Sequence, residues 1–231
     1  MTDDLRPMRT FGRIKSRPIK PRQAALMDTL LPRIRLPETP FDPRTLMPLA
    51  EEVWLEIGFG GGEHLAAQAE RRPSALFMGA EPFLNGVASA LRHVDERGLA
   101  NVRLHAGDAR ALMAALPDAC LDRMIILFPD PWPKARHHKR RLVQDDFVEE
   151  AARLLKAGGR LRFATDWADY ADWALKRLTA SPRFRWLAEA ADDWRKPPAD
   201  HVTTRYEEKR LGDCAPVFLD FIRSSPGAER D

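Results

Sequence analysis

Short apolar runs recur through the middle of the chain, with amphipathic segments between them. Five runs have the length and composition of buried strands: "VWLEIG" (53–58), "ALFMGAE" (75–81), "VRLHAG" (102–107), "RMIILF" (123–128) and "RLRFAT" (160–165). Helix-like spacing of apolar residues marks the stretches 63–72, 83–98 and 143–159. This alternation predicts a parallel sheet that helices cover on both faces.

The two ends of the chain depart from that pattern. The stretch 21–34 predicts a short helix that ends at Pro32. The pair Gly158-Gly159 predicts the end of the last long helix, because glycine commonly follows a helix C-terminus. Beyond it, 184–190 and 215–224 are strand candidates with no clear helix between them, which favours an antiparallel pair. We therefore expect an α/β fold with a doubly wound, mostly parallel seven-stranded sheet and an antiparallel final strand.

Composition indicates an ordinary globular protein. The 231 residues are 44% hydrophobic and 31% charged, which suits one α/β domain plus an arm. The most apolar run, "MIILF", is far shorter than a membrane span, and the N-terminus has no apolar signal region. Cys120 and Cys214 lack the spacing of metal or redox sites. A cytoplasmic protein with reduced cysteines is the expectation.

Positive charge is concentrated at the N-terminus. The overall net charge is +3, but residues 1–35 alone carry nine Lys or Arg against three Asp, a net +6 that leaves −3 for the rest. We therefore divide the chain into a basic, Arg- and Pro-rich arm (1–40) and a body (41–231). Such an arm suits a polyanionic partner, although a solvated tail that aids solubility has the same composition.

A glycine-rich turn follows the first strand. Gly58, Gly60 and Gly62 form G-x-G-x-G, and Glu56 lies two residues before the first glycine. Glycines permit a tight turn and close approach of a ligand to the backbone. A plain strand-to-helix turn would look the same, so the turn alone is weak evidence of a nucleotide site.

Two further acids strengthen the nucleotide interpretation. Glu81 ends the second strand, where an acid accepts hydrogen bonds from ribose hydroxyls, and Asp108 ends the third, within reach of an adenine amino group. The turn differs from the pyrophosphate fingerprint, and Glu56 would repel a diphosphate. Adenosine that carries a sulfonium and an amino acid, S-adenosylmethionine, fits these residues better than NAD.

The stretch "LFPDPWPKARHHKRRLV" (127–143) follows the fourth strand. Prolines on both sides of Asp130 restrict the backbone and hold that carboxylate near Trp132. The fourth strand should neighbour the first, so Asp130 should face the cofactor, where it can accept hydrogen bonds from a base edge. The alternative is a rigid loop with a buried tryptophan. The basic run 134–141 then suits phosphates, and no Cys or acid at ligand spacing supports a metal.

Five motifs occur in a recognisable order: "LEIGFGGGEHL", "GAE", "FPDPWPKARHHKRRLV", "ATDWADYADW" and "TTRYEEKRL". Together they resemble bacterial tRNA (guanine-N7-)-methyltransferases, which are Rossmann-like class I enzymes dependent on S-adenosylmethionine. The resemblance covers roughly residues 50–223, and the Pro-Asp-Pro-Trp block with its basic run is its most specific part. It implies methylation of guanine 46 in the variable loop of tRNA.

The resemblance also implies roles for individual residues. The cofactor would contact Glu56, Gly58, Gly60, Glu81, Asp108 and Asp130, and Asp130 would be catalytic. The RNA substrate would contact Lys134, Asp166, Thr204, Arg205, Tyr206 and Glu207. A further RNA-contacting segment would comprise Arg136, His137, His138, Lys139, Arg140 and Arg141.

The implied chemistry agrees with the residues. Guanine N7 carries a lone pair and no proton, so a methyl transfer needs placement of the base rather than its deprotonation. Two other functions stay open: methylation of an exocyclic amino group in RNA and RNA binding without catalysis. Asp130-Pro131-Trp132 is similar to the Asp/Asn-Pro-Pro-aromatic motif of amino-group methyltransferases, but the missing second proline and the basic run that follows weigh against that function. The sequence leaves open whether the protein is a monomer or a homodimer.

Overall fold

The computed structural model describes residues 18–225. Seven strands form one sheet: β1 (Val53–Ile57), β2 (Leu76–Ala80), β3 (Val102–His105), β4 (Leu121–Leu127), β5 (Leu155–Thr165), β6 (Phe184–Trp186) and β7 (Val217–Arg223). Eight α-helices flank it in the described part: α1 (Pro21–Thr29), α2 (Leu31–Ile34), α3 (Glu63–Arg71), α4 (Leu84–Arg97), α5 (Ala109–Ala115), α6 (Asp145–Leu154), α7 (Ala168–Ala180) and α8 (Asp192–Arg195). None of these helices is long and apolar enough to cross a bilayer.

The order of strands in the sheet is β3-β2-β1-β4-β5-β7-β6. Strands β1 to β5 pair in parallel, and β7 lies antiparallel between β5 and β6. The predicted fold class, the neighbouring positions of β1 and β4, and the antiparallel final strand are therefore confirmed.

Both faces of the sheet are buried, which explains why the strands read as nearly continuous apolar runs. In β1, Leu55 and Ile57 point towards a core formed with α5, α6 and α7. Trp54 points to the other face, where α2, α3 and α4 supply the apolar residues. Consecutive residues of a strand serve opposite cores because side chains alternate across a sheet.

The predicted helix end at Gly158-Gly159 is wrong. Helix α6 ends at Leu154, and both glycines lie within β5. There the pairing jumps from Leu121–Leu155 to Arg123–Arg160, so β5 bulges outwards. Gly158 has a φ of 80°, a conformation that glycine adopts without a steric penalty. The glycine pair therefore permits a bulge, not a helix cap.

The described part of the predicted arm packs on the body, and the division of the chain at residue 40 stays a prediction. Leu31, Ile34 and Leu36 are buried in the body, and the Leu36 amide donates to the carbonyl oxygen of Leu104 at 2.9 Å. Pro32 lies in the first turn of the short helix α2 instead of ending a longer helix, and in that turn its missing N–H costs nothing. The arm residues before Pro18 lie outside the described residues.

A long connection between β6 and β7 crosses the face of β4 and β5, held there by a buried charge network. The Asp200 carboxylate contacts the guanidinium groups of Arg162 at 2.6 Å and Arg123 at 2.8 Å. Arg162 is 4% exposed and also bonds both carboxylate oxygens of Asp220. Burial alone would raise the pKa of Asp200, but Arg162 and Arg123 outweigh it and lower the pKa to about 2.

The Asp200→Asn variant tests this anchor. At neutral pH we expect its free energy of unfolding to be lower than that of wild type by about 2 kcal/mol, because the folded chain favours the ionised carboxylate. The difference should shrink as pH falls from about 4 towards 2, since the unfolded chain takes up the proton near 3.8 and the folded chain only near 2. Urea unfolding at several pH values measures it.

Asp192→Asn, at an exposed residue of α8, is the matched control for that experiment. If the free energies of unfolding of wild type and Asp200→Asn differed by the same amount at every pH, the proposed role of the Asp200 ion pairs would be contradicted.

Candidate active site

The turn between β1 and α3 is shaped by glycines. Gly58, Gly60 and Gly62 have φ values of 72°, 52° and 81°. A methyl group at Gly62 would overlap Ala90 of α4, and one at Gly86 would overlap the carbonyl oxygen of Gly60. Above Gly58 and Gly60, by contrast, there is open space. The turn thus packs closely against α4 and leaves room on its other side for a ligand.

Glu81, at the end of β2, fixes this turn. One carboxylate oxygen accepts from the Gly60 amide and the other from the Phe83 amide, both at 2.8 Å. Desolvation raises the pKa of Glu81; the two amides partly offset this, and the nearby Asp130 charge adds to it. A carboxylate has lone pairs beyond those two bonds, so Glu81 can still accept from ligand hydroxyl groups.

Glu56 lies inside β1 and is 4% exposed. Its carboxylate contacts His64 Nδ1 at 2.7 Å, and His64 Nε2 lies 3.2 Å from the side-chain nitrogen of Gln68. His64 and Gln68 are not among the site residues predicted from the sequence. Their signal was available: two polar residues four positions apart, on the face of α3 that otherwise carries Leu65 and Ala69.

Asp108, the third predicted cofactor acid, follows β3 and is the N-cap residue of α5. Its carboxylate accepts from the Arg110 amide at 3.0 Å and from the Arg110 guanidinium at 2.6–2.9 Å. Those bonds orient the Asp108 carboxylate at the same edge of the sheet as Glu81. Its contact with an adenine amino group stays a prediction.

The loop after β4 holds Asp130 between two strained residues. Phe128 and Trp132 have φ values of 51° and 44°, which cost about 1–2 kcal/mol each for residues other than glycine. A hydrogen bond of 2.8 Å from the Phe128 amide to the Ala164 carbonyl oxygen holds the start of the loop. Asp130 remains accessible to solvent, yet desolvation in the crevice raises its pKa. Such strain is concentrated at functional sites.

Asp166 faces the same crevice from the end of the adjacent strand β5. It is 5% exposed, and the Tyr206 hydroxyl donates to its carboxylate at 3.3 Å. The Tyr206 ring stacks on Phe128, with centroids 5.5 Å apart. Gly212 packs so closely on Asp166 that a methyl group there would overlap it. The connection before β7 thus brings Tyr206 to Asp166 and Phe128.

The residues Thr204 to Glu207 form a reciprocal cap at the start of a 3-10 helix (Glu207–Lys209). The Thr204 amide donates to the Glu207 carboxylate at 2.7 Å, and the Glu207 amide donates to the Thr204 hydroxyl at 3.3 Å. His201 Nε2 contacts the other Glu207 oxygen at 2.8 Å. Burial alone would raise the pKa of Glu207, but these bonds lower it. The pair therefore shapes the loop, from which Arg205 extends into solvent.

The basic run forms a short 3-10 helix (Ala135–Arg140) beside Asp130. Three of its cationic side chains are exposed: Lys134, Arg136 and Lys139. His137 and Arg140 instead pack on Trp132, with the His137 ring centroid at 6.0 Å and the guanidinium carbon at 4.9 Å. The ring of Trp132 therefore supports this basic helix.

Arg141 differs from the RNA contact that we expected, because it is only 3% exposed. Its Nε donates to the Pro131 carbonyl oxygen at 2.9 Å, and its guanidinium forms an ion pair with Asp169 of α7. The same group lies over the rings of Tyr170 and Trp173. His138 lies nearby, with Nε2 at 3.4 Å from Asp169. Arg141 therefore joins the Asp130 loop to α7.

In the described part of the chain, neither a metal-binding group nor the cleft at the far edge of the sheet adds a candidate site. Among residues 18–225 there is no group of three or more His, Cys, Asp or Glu that could hold a metal ion. A cleft of about 440 Å³ lies at the opposite, amino edge of the sheet, lined by charged residues such as Asp122 and Lys156. Asp122 and Lys156 pair with each other at 2.7 and 2.8 Å.

Comparisons with known proteins agree with this geometry. Residues 50–218 match the family model described as "Putative methyltransferase". The tRNA (guanine-N(7)-)-methyltransferase of Caulobacter sp. (strain K31) is 68% identical over 217 residues, which cover 94% of this chain and 96% of that protein. The enzyme of the same name from Hyphomonas neptunium is 55% identical and covers 93% of this chain and 99% of the relative.

Among solved structures, a variant of the 16S rRNA (adenine(1408)-N(1))-methyltransferase from Catenulisporales acidiphilia, with its cosubstrate SAM, matches with a TM-score of 0.55. It covers 83% of this chain and 96% of that chain at 18% identity, which shows a common fold. The identities to the curated relatives, over nearly the whole of both chains, confirm the resemblance found in the sequence. The chain belongs to the S-adenosylmethionine-dependent tRNA (guanine-N(7)-)-methyltransferase family.

Proposed function

We propose that this chain transfers a methyl group from S-adenosylmethionine to N7 of guanine 46 in the variable loop of tRNA. The observation that carries the proposal is the meeting of Asp130 and Asp166 at the carboxyl ends of adjacent strands, beside a glycine turn with space for a cofactor. Membership of the family supports the reaction type, and the tRNA substrate is taken from the relatives' names.

The residues around the glycine turn fit S-adenosylmethionine. The open space above Gly58 and Gly60 adjoins the buried carboxylates of Glu56 and Glu81. Glu81 would accept from the ribose hydroxyls, and Glu56 would face the positively charged amino-acid part. This acidic surrounding suits a cationic ligand and disfavours a diphosphate. When bound, the cofactor supplies an electrophilic methyl group on its sulfonium.

Asp130 and Asp166 would hold the guanine. Their carboxylates can accept hydrogen bonds from guanine N1–H and the exocyclic amino group, which orients N7 towards the methyl group. Transfer breaks the S–CH₃ bond, forms the N7–CH₃ bond and moves one positive charge onto the guanine ring. Fixed carboxylates beside that ring stabilise the developing charge, and no base has to remove a proton.

The exposed cations of the basic helix would bind the RNA backbone. Lys134, Arg136 and Lys139 extend into solvent within a few residues of Asp130. Clustered Lys and Arg attract phosphates and release counterions, so binding should weaken as salt rises. Arg205, exposed on the loop beside Tyr206, adds a further cation near the crevice.

Two alternatives make different demands on the same residues. Methylation of an exocyclic amino group requires removal of a proton from the nucleophile, for which Asp130 with its raised pKa is a candidate base. A non-catalytic RNA-binding protein would have no need of the acids around the glycine turn. The product formed on tRNA separates all three functions.

Methyl transfer from radiolabelled S-adenosylmethionine to unmodified tRNA transcripts tests the proposed function. We expect label in 7-methylguanosine, and none when guanine 46 is replaced by adenine. Nucleoside analysis by mass spectrometry identifies the product. Label in N6-methyladenosine or N4-methylcytidine would favour amino-group methylation, and cofactor binding without any label would favour the binding protein.

Asp130→Asn should lower the single-turnover rate of methylation by about 100-fold, the usual cost of removing one preorganised electrostatic contact. Desolvation raises the pKa of Asp130. As the pH is lowered, the carboxylate should therefore take up a proton, and wild-type activity should begin to fall, at a higher pH than for an ordinary aspartate. Rapid-quench measurements across pH check both expectations. Asp172→Asn, at an exposed residue of α7, is the control. A normal rate in Asp130→Asn would exclude the proposed role.

Arg141→Met distinguishes a structural role from an RNA contact. We expect the free energy of unfolding to fall by about 2 kcal/mol, because the carbonyl oxygen of Pro131 and the carboxylate of Asp169 both lose a donor. Lys139→Met, on the same basic helix, should change it by less than about 0.5 kcal/mol and raise only the KM for tRNA. Urea unfolding and steady-state kinetics measure the two effects. An equally stable Arg141→Met protein with a raised KM would restore the RNA-contact interpretation.

A further inference from the structure

Helix α3 points two polar side chains into the buried face that packs on the sheet. His64 is 1% exposed and Gln68 is fully buried. Neither has a part in the proposed chemistry. Because burying polar groups is unfavourable unless their hydrogen bonds are satisfied, the partners of these two residues indicate what they do.

The hydrogen bonds of Gln68 fix the direction of a polar chain. Arg72 donates to Gln68 Oε1 at 3.0 Å, which identifies the other terminal atom as the amide nitrogen. That nitrogen has two hydrogens: one reaches the carbonyl oxygen of Asp200 at 2.5 Å, and the other reaches His64 Nε2 at 3.2 Å. His64 Nε2 is then an acceptor, so Nδ1 carries the proton and donates to Glu56 at 2.7 Å.

The far end of this chain lies at the base of the loop 204–207. Arg162 and Arg123 hold the Asp200 carboxylate. Among the described residues, the Asp200 carbonyl oxygen accepts only from Gln68 and Arg71 of α3, so the orientation of that peptide group depends on α3. The next residue, His201, is bonded to Glu207, whose carboxylate caps the loop at Thr204. One buried chain thus extends from Glu56, beside the glycine turn, to the loop that brings Tyr206 to Asp166.

We propose that His64 and Gln68 are positioning residues that couple cofactor binding at Glu56 to the ordering of the loop 204–207. The inference rests on the proposed function for the roles of Glu56 and the loop. Ligand contact with Glu56 fixes the His64 ring, which fixes the Gln68 amide and, through its second hydrogen, the Asp200 peptide. Coupling is reciprocal, so an ordered loop strengthens cofactor binding by the same factor.

Hydrogen exchange of the intact protein tests this without any methyl transfer. Saturating S-adenosylhomocysteine should slow exchange of the amides in 200–208 by about tenfold in wild type. In Gln68→Met, which has a similar volume and no donor, cofactor binding should leave that exchange unchanged. Leu65→Met, at a buried residue of the same helix outside the chain of hydrogen bonds, should behave as wild type.

Gln68→Glu is a second variant in case the methionine protein does not fold. An ionised glutamate keeps the acceptor for Arg72 but cannot donate to His64 or Asp200, so it should also abolish the coupling. Binding of S-adenosylhomocysteine is also measured with and without tRNA that is already methylated at guanine N7. Addition of this tRNA should lower the dissociation constant of S-adenosylhomocysteine about tenfold in wild type and leave it unchanged in both Gln68 variants.

Three outcomes are distinguishable. No slowing in wild type, or equal slowing in a folded Gln68 variant and in wild type, overturns the coupling. The coupling is supported if the slowing of exchange is lost in Gln68→Met and Gln68→Glu but kept in Leu65→Met. Failure of wild type to bind S-adenosylhomocysteine at all would overturn the proposed function, and with it the cofactor role of Glu56 on which the coupling rests.

Discussion

The reversal of strand order between β1 and β4 determines where every candidate site residue lies. After β1 the chain turns to the face that carries α3, and after β4 it leads to α6 on the opposite face. The carboxyl ends of these two paired strands are therefore left without a covering helix, the usual position of a ligand site in such sheets. The glycine turn and the Asp130 loop must face each other across this opening, with Glu81 supplied by β2 on one side and Asp166 by β5 on the other.

Charge is distributed to match that geometry. Within the crevice lie the carboxylates of Glu56, Glu81, Asp130 and Asp166, and burial raises the pKa of Glu81 and Asp130. Crowded acids are unfavourable by themselves, but they become favourable beside a cationic ligand and beside a ring that gains positive charge. The exposed cations begin only four residues after Asp130, at Lys134. The short distance in sequence allows one loop to attract a polyanion and still present an acidic site.

The sequence was sufficient for the fold class and for the edge of the sheet at which the candidate site residues meet, since both depend on periodicity and on residues at strand ends. The sequence was not sufficient where a residue type suits two different structural roles. Gly158 suits a helix end and a bulge equally, and only the pairing of β4 with β5 decides between them. Arg141 ends a run of cations that otherwise reach solvent, and its burial depends on Asp169, Tyr170 and Trp173, which are distant in sequence. Likewise, Gln68 donates to the carbonyl oxygen of Asp200, which is 132 positions away in the sequence.

Arg141 also explains how the strained loop can persist. Positive φ values at Phe128 and Trp132 favour relaxation of the loop unless bonds on both sides oppose it. The Ala164 carbonyl oxygen holds the Phe128 end, and Arg141 holds the Pro131 end while its charge is neutralised by Asp169. A lysine, whose charge is a single point on a flexible chain, lacks the planar group that meets a carbonyl oxygen, a carboxylate and two aromatic rings together. Arg141, at the end of the basic run, therefore holds the backbone on the C-terminal side of Asp130.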